Sequence, residues 1–443
     1  MCKFIKGLGI AAIALAFAAC SGTSKTKSAD EVMLDSVQYQ TFQYFWEGAE
    51  PISGLARERF HEDGIYPLGD KHIVTSGGGG FGIMSILVGI ERGFITREDG
   101  VDRLDRIVAF IERADKFHGA FPHWWNGETG DVKAFSSFDD GGDLVETAFM
   151  IQGLLAAHQY LIDGTPKEKD IAKRIDGIWR GVEWDWYTRN EDVLYWHWSP
   201  NHGWKMDFPV KGYNECLVMY LLAAASPTHG VDADVYHKGW AEDGVISKPH
   251  EEEGYPLQLH YQGDAAGPLF WAHYSFLGLD PRNLKDKYAS YDKEMENYTR
   301  VNRAYCIRNP KGYKGYGENS WGLTASYSVI GYAAHAPQED RDHGVISPTA
   351  ALSSIVYTPE ESMQVMRYLY NNKDRFWGRY GFYDAYSETE EWYPKLYLAI
   401  DQGPILVMLE NYRTGLLWNL FMSHPDVQAG LKKLGFETPH LKS

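Results

Sequence analysis

The chain has 443 residues, with 60 Asp and Glu against 43 Lys and Arg and a formal net charge of −17. That balance excludes nucleic acid and polyanionic glycans such as uronic acid polymers as partners, because no basic stripe is available to neutralise them. Aromatic residues make up 14%, with 15 Trp and 29 Tyr, and flat rings suit the apolar faces of sugars, although they also build cores.

The first 20 residues read as a lipoprotein export signal. Lys3 and Lys6 form a basic start, Leu8 to Ala19 an apolar run, and Phe17-Ala18-Ala19-Cys20 a cleavage site. The run is too short to span a membrane. This predicts lipidation at Cys20, a tether over 21–30 and a periplasmic or outer-membrane-attached protein; an ordinary secretory signal is the alternative. Residues 31–443 contain no Pro/Ser-rich linker and are expected to form a single domain. Beyond Cys20 only Cys216 and Cys306 remain, both in apolar or aromatic surroundings. They allow buried free thiols or one bridge, and no metal spacing.

The periodicity is helical almost throughout. Amphipathic stretches run near Glu31–Trp46, Arg97–Asp115, Lys167–Trp184, Asn283–Ala304, Pro359–Asn371 and Pro425–Leu434. Between them lie helices apolar on nearly all sides, which must be buried. Their starts are expected at Ser76, Gly141, Lys211, Ala266, Asn319 and Gln402, with a shorter candidate at Ser347–Tyr357. The alternation predicts an all-α fold with an inner ring of helices inside an outer one, an (α/α)6 toroid. Its loops into the inner helices would share one rim. Those loops carry Trp124, Trp125, Trp196, Trp198, Trp204, Glu318, Trp321, Tyr383 and Asp384, an aromatic and acidic mouth suited to an uncharged sugar chain.

The segment Phe135 to Phe149 concentrates the acids. Asp139, Asp143 and Glu146 follow an i, i+4, i+7 spacing, which on one helix confines them to a wedge of about 60°. The alternative makes Asp139 or Asp140 an N-cap with Asp143 in the first turn. Glu215 opens the next inner helix, with Val218, Met219 and Leu222 on its face. Burial there would raise its pKa and suit it to donate a proton. Consecutive inner helices would bring these acids around one pocket, as glycoside hydrolysis requires of its carboxyl pair. Asp401 is expected as an N-cap or a substrate ligand. Glu318, Asp384 and Glu410 are further candidates, and Arg57 would bind sugar hydroxyls or pair with rim acids. Gly77 to Gly80 lack a following Gly-Lys-Ser/Thr and a preceding strand, so they read as close helix packing rather than a phosphate loop. The histidines have no ligand spacing, and neither metal nor cofactor is expected.

With these residues in view, the chain resembles the glucoamylase-like helical toroid family of Bacteroidetes lipoproteins, glycoside hydrolase family 144. The resemblance covers about residues 35–436. It rests on SGGGGFG (76–82), FDDGGDLVETAF (138–149), GYNE (212–215), SWGLTAS (320–326), GFYDAY (381–386) and DQGPI with ENYRTGLLW (401–418). It implies hydrolysis of linear β-1,2-glucan or its oligosaccharides with inversion, either within the chain or by release of sophorose, with Asp139, Asp143, Glu146 and Glu215 implicated. The pattern departs at Tyr327, where some members have Asp. Placement and resemblance together make Glu215 the general acid, Asp143 (backed by Asp139) the base for water, and Glu146 a sugar ligand that tunes both. Other neutral β-glucans or α-1,4-glucan are rival substrates. A non-catalytic glycan-binding lipoprotein and a polysaccharide lyase are the alternatives of other classes.

Overall fold

A computed structural model of the chain describes residues 27–66, 68–260 and 266–441. The export signal and Cys20 lie outside the described residues. In chain order the first helices are α1 (Ala29–Trp46), α2 (Ser76–Glu91), α3 (Arg97–Arg113), α4 (Leu144–Leu161), α5 (Pro166–Arg180) and α6 (Leu217–Ala225). They are followed by α7 (Tyr291–Arg308), α8 (Pro348–Ser353), α9 (Pro359–Asn371), the single turn α10 (Lys373–Phe376), α11 (Ala399–Arg413), α12 (Leu416–Met422) and α13 (Pro425–Lys433). The architecture is the α/α toroid. Inner α2 packs on α4 and α11, α4 on α6, and α11 on α8, while α1, α3, α5 and α9 cover them from outside. α1 starts at Ala29, inside the expected tether, because Ser28 and Glu31 form a reciprocal capping box.

Glycine lets the inner ring close. A Cβ on Gly80 would stand 2.2 Å from Phe149 O, and one on Gly153 2.2 Å from Gly80 O, so α2 and α4 touch backbone to backbone. Gly80→Ala is expected to destabilise the protein by about 1–3 kcal/mol through overpacking, measurable as a lowered urea midpoint at constant m.

Several expected starts shift, each for a local reason. α6 begins at Leu217 rather than Lys211, because Gly212 has φ +74° and Asn214 Oδ1 accepts the Cys216 N–H at 3.0 Å in a turn. α7 begins at Tyr291 because Lys285 pairs through its backbone with Glu437. No helix starts at Asn319. Gly322 has φ +131°, and the Asn302 side chain bonds both N–H and C=O of Leu323. The fifth inner position is instead α8, the shorter candidate. The fourth is broken into 3-10 turns, Leu269–Ala272 and Ser275–Leu277. Ser275 Oγ is engaged with α6 there, accepting from Val218 N at 3.0 Å and donating to Glu215 O. Cys216 and Cys306 are buried free thiols.

Candidate active site

The connections that enter the inner elements do share one rim, and a cavity of about 360 Å3 opens among them. The α1–α2 connection gives Glu58, Arg59 and Thr75, and the α3–α4 connection His123, Trp124 and Phe135. Glu146 and Phe149 come from α4 and Glu215 from the turn before α6. The broken fourth element gives Phe270 and Tyr274, and the α7–α8 connection Ala325, Tyr327 and Tyr332. Short antiparallel strands fix this register: Thr75 opposite Trp124, and Asp143 opposite His197.

The acid cluster forms differently from the expected helical wedge. α4 begins only at Leu144, so Asp139 lies in the preceding turn, bridged to Ser136, and Asp143 is the N-cap. Asp143 Oδ1 accepts Glu146 N–H at 2.9 Å, and its Oδ2 accepts Trp196 Nε1–H at 2.8 Å and meets His123 Nδ1 at 2.9 Å. Asp143 is 0% exposed and Asp139 1%. The capping role thus holds for Asp143. Both oxygens of Asp143, the residue expected to deprotonate water, are engaged by these partners, and its side chain is not part of the cavity lining. Glu146, expected to bind sugar and tune the acids, is the member of this cluster that faces the cavity.

Glu146 sits in the first turn of α4. Its Oε2 accepts Gly77 N–H at 2.8 Å and Thr75 Oγ1–H at 3.4 Å. A Cβ on Gly77 would lie 2.5 Å from that same oxygen, so Gly77 is a seat for the carboxylate, a role beyond helix packing. Gly77→Ala is expected to lower kcat about hundredfold with little change in global stability, because the carboxylate must move off its donor; turnover and thermal melts of the same preparation check both halves.

His123 is the residue that sequence spacing concealed. It bridges Asp143 (2.9 Å) and Asp139 (3.8 Å), and its ring stacks on Phe135 at 4.1 Å. Ligand atoms of His123, Asp139 and Asp143 all lie within 4.8 Å of one another, so tertiary structure gathers a His/Asp set no local motif shows. Asp139 meets His197 Nε2 from the other side at 3.2 Å.

Charge separates the two cavity glutamates. Burial pushes Glu215 up to about 7, and the negative Glu146 and Asp143 add to that rise. Burial also raises Glu146 to about 7, opposed by the neighbouring His123. Burial disfavours the His123 cation, but Glu146, Asp143 and Asp139 outweigh it and raise its pKa to about 9. Glu146 therefore has an imidazolium beside it and Glu215 has none. Both carboxyls stand at about 7, and the neighbouring cation is what distinguishes the surroundings of Glu146. Across the cavity, Glu58 is pushed up by burial although Arg59 pairs with it. The Arg59 guanidinium stands 5.7 Å from Trp124 and 5.6 Å from Tyr327.

Other expected site residues divide. Trp124 lines the cavity, whereas Trp196 is outside the lining and donates to Asp143. Four expectations are corrected by burial, because these side chains serve the packing. Arg57 is turned inward, donating to the carbonyls of Gly48 and Lys71, and Arg59 takes the position expected of it. Trp125 and Trp321 are 0% exposed in the core, Trp125 donating to Asp115 O. Tyr383 is buried and donates to Glu62 at 3.2 Å. Trp198 and Trp204 belong to a separate aromatic cluster around Trp186. Glu318 is an exposed turn residue outside the cavity lining. Glu410 pairs with Arg92 at 2.7 Å, away from the rim. α11 starts at Ala399, so Asp401 lies within it and is no N-cap. Asp401 and Asp384 are neighbouring buried acids: burial raises both, Asp384 adds to the rise of Asp401, and Asp401 opposes the rise at Asp384. Asp384 Oδ2 accepts Tyr327 N–H at 2.8 Å, so the pair braces the wall carrying Tyr327.

Residues 207–425 match the family model described as "Putative glucoamylase". A protein of Bacteroides caccae carrying that description is 68% identical, with 93% of this chain aligned to all of that one at a TM-score of 0.92. The endo-β-1,2-glucanase of Chitinophaga pinensis, solved with sophorotriose and glucose, is 62% identical over 94% of this chain and all of its own, also at 0.92. The chain belongs to glycoside hydrolase family 144, the glucoamylase-like family. A curated relative, the exo β-1,2-glucooligosaccharide sophorohydrolase of Parabacteroides distasonis, is 46% identical across 94% of this chain. The chain spans 60% of that relative's length.

Proposed function

We propose that this protein hydrolyses linear β-1,2-glucan or its oligosaccharides, within the chain or by releasing sophorose from an end. The observation that carries the reading is the pair Glu146 and Glu215 facing one aromatic-lined cavity, only one of them beside a buried imidazolium. Glu215 keeps its proton and gives it to the leaving glycosidic oxygen. Glu146, beside the cation and held by Gly77 N–H, takes the proton of the attacking water. Asp143 and Asp139 hold His123 in place and charged, so they act through it. Trp124, Phe135, Phe270 and Tyr327 offer rings to the sugar faces.

Two relatives of high identity are named for β-1,2-glucan, which favours that linkage over α-1,4. The test is product analysis on β-1,2-glucan and on starch. New reducing ends from the first alone support the assignment, and release from starch alone overturns it. A ladder of oligosaccharides separates internal cleavage from sophorose release. The reading includes export and lipid attachment at Cys20. Cys20→Ser is expected to move the protein from the membrane to the soluble fraction, and unchanged membrane association would contradict the anchor.

A further inference from the structure

A second hollow of about 620 Å3 shares no lining residue with the catalytic cavity. Its walls include Glu183, Asp185, Trp186, Arg189, Trp204 and His229. Trp186 is 40% exposed, although an indole of its size would ordinarily be covered. Its ring is held rigidly: His118 stacks on it at 3.7 Å and 13°, Trp198 meets it edge-on at 6.2 Å, and Trp204 lies 6.4 Å away. His118 is fixed in turn by Glu183 at 3.0 Å. Arg189, paired with Asp207 at 2.6 Å, stands over Trp204 at 5.5 Å.

The backbone under this platform is unusual. The 3-10 turn Trp186–Thr188 ends in two successive left-handed residues, Arg189 (φ +56°) and Asn190 (φ +63°), and His118 beneath the indole is also left-handed (φ +50°). Three non-glycine residues in that region thus lie at or under one aromatic surface.

We propose that this hollow is a second glycan site that takes a stretch of neutral glucan chain outside the catalytic cavity; it rests on the function given above. The chemistry selects the ligand class. A pre-ordered indole suits the C–H face of a pyranose, and carboxylates at its edge accept hydrogen bonds from ring hydroxyls. Glu183 and Asp185 outnumber Arg189 in its lining, and Arg189 is already paired with Asp207, which disfavours anionic chains. The platform is also continuous with the active-site frame, since Trp198 is the strand partner of Gly142, beside Asp143. A long chain held at both places gains effective concentration that a short one cannot.

Full-length protein carrying Trp186→Ala is the test. kcat/KM on polymeric β-1,2-glucan is expected to fall about tenfold, the cost of removing one aromatic anchor, while turnover of a short β-1,2-glucooligosaccharide stays unchanged. The same substitution placed on Glu215→Gln should weaken retention in gels containing the glucan. Unchanged polymer kinetics and retention overturn the site. If Trp186→Ala loses short-substrate turnover as well, the exposed Asp185→Ala decides, and full polymer activity there overturns the proposal. Absence of hydrolysis of both the polymer and the short substrate by the unaltered protein would instead overturn the assigned function.

Discussion

Glu215→Gln should lower hydrolysis of β-1,2-glucan by about 10²–10⁴-fold, the range for loss of a positioned proton donor, and should stabilise the protein above neutrality. The second half follows from where the carboxyl sits. Its pKa is raised to about 7 by burial, against an ordinary 4.5, so the folded state disfavours the ionised form. The folded protein binds the proton more tightly than the unfolded chain. The resulting loss of stability begins as pH rises above about 4.5 and is complete above about 7. Glutamine cannot ionise, so the variant should match the parent near pH 4.5 and exceed it by up to about 3 kcal/mol at pH 8. Activity and urea midpoints at the two pH values check both parts. Near-normal turnover would sink the acid assignment, and equal stability at pH 8 would mean that Glu215 is better solvated than the cavity implies.

His123→Gln should change the shape of the pH profile as well as its height. The imidazolium lowers the pKa of Glu146 against burial and the neighbouring acids. Without it Glu146 ionises only at higher pH, so the acid limb of kcat/KM moves upward and the maximum falls about 10–100-fold. In the parent, loss of the His123 proton above about 9 removes the same support. Glutamine keeps a donor for Asp143 Oδ2, so the fold should survive. A profile merely scaled down would show His123 to be structural.

The toroid was legible because its signal is local and repeated. All-apolar stretches such as Ser76–Gly89 and Leu144–Ala157 are stable only inside other helices, and amphipathic Arg97–Arg113 only outside them. The missed starts at Lys211, Ala266 and Asn319 are places where side chains took the backbone's hydrogen bonds: Asn214 at Cys216, Thr324 at Phe270 and Asn302 at Leu323. Those partners are remote in sequence or lie in irregular turns, and no periodicity records them. Trp125 and Trp196 show the same division among aromatics. Both sit in aromatic loops, yet one fills the core and the other donates to Asp143.

Sequence by itself determined which acids this protein concentrates and that they stand at the entries to buried helices on one rim, because burial of a carboxylate needs a reason that spacing and apolar neighbours already display. Tertiary structure alone decided their surroundings. The cation that separates Glu146 from Glu215 is His123, 23 residues before Glu146 and 92 before Glu215 in the chain, and fields act through space rather than along the backbone. The seat for Glu146 is likewise an amide on another helix, Gly77 of α2.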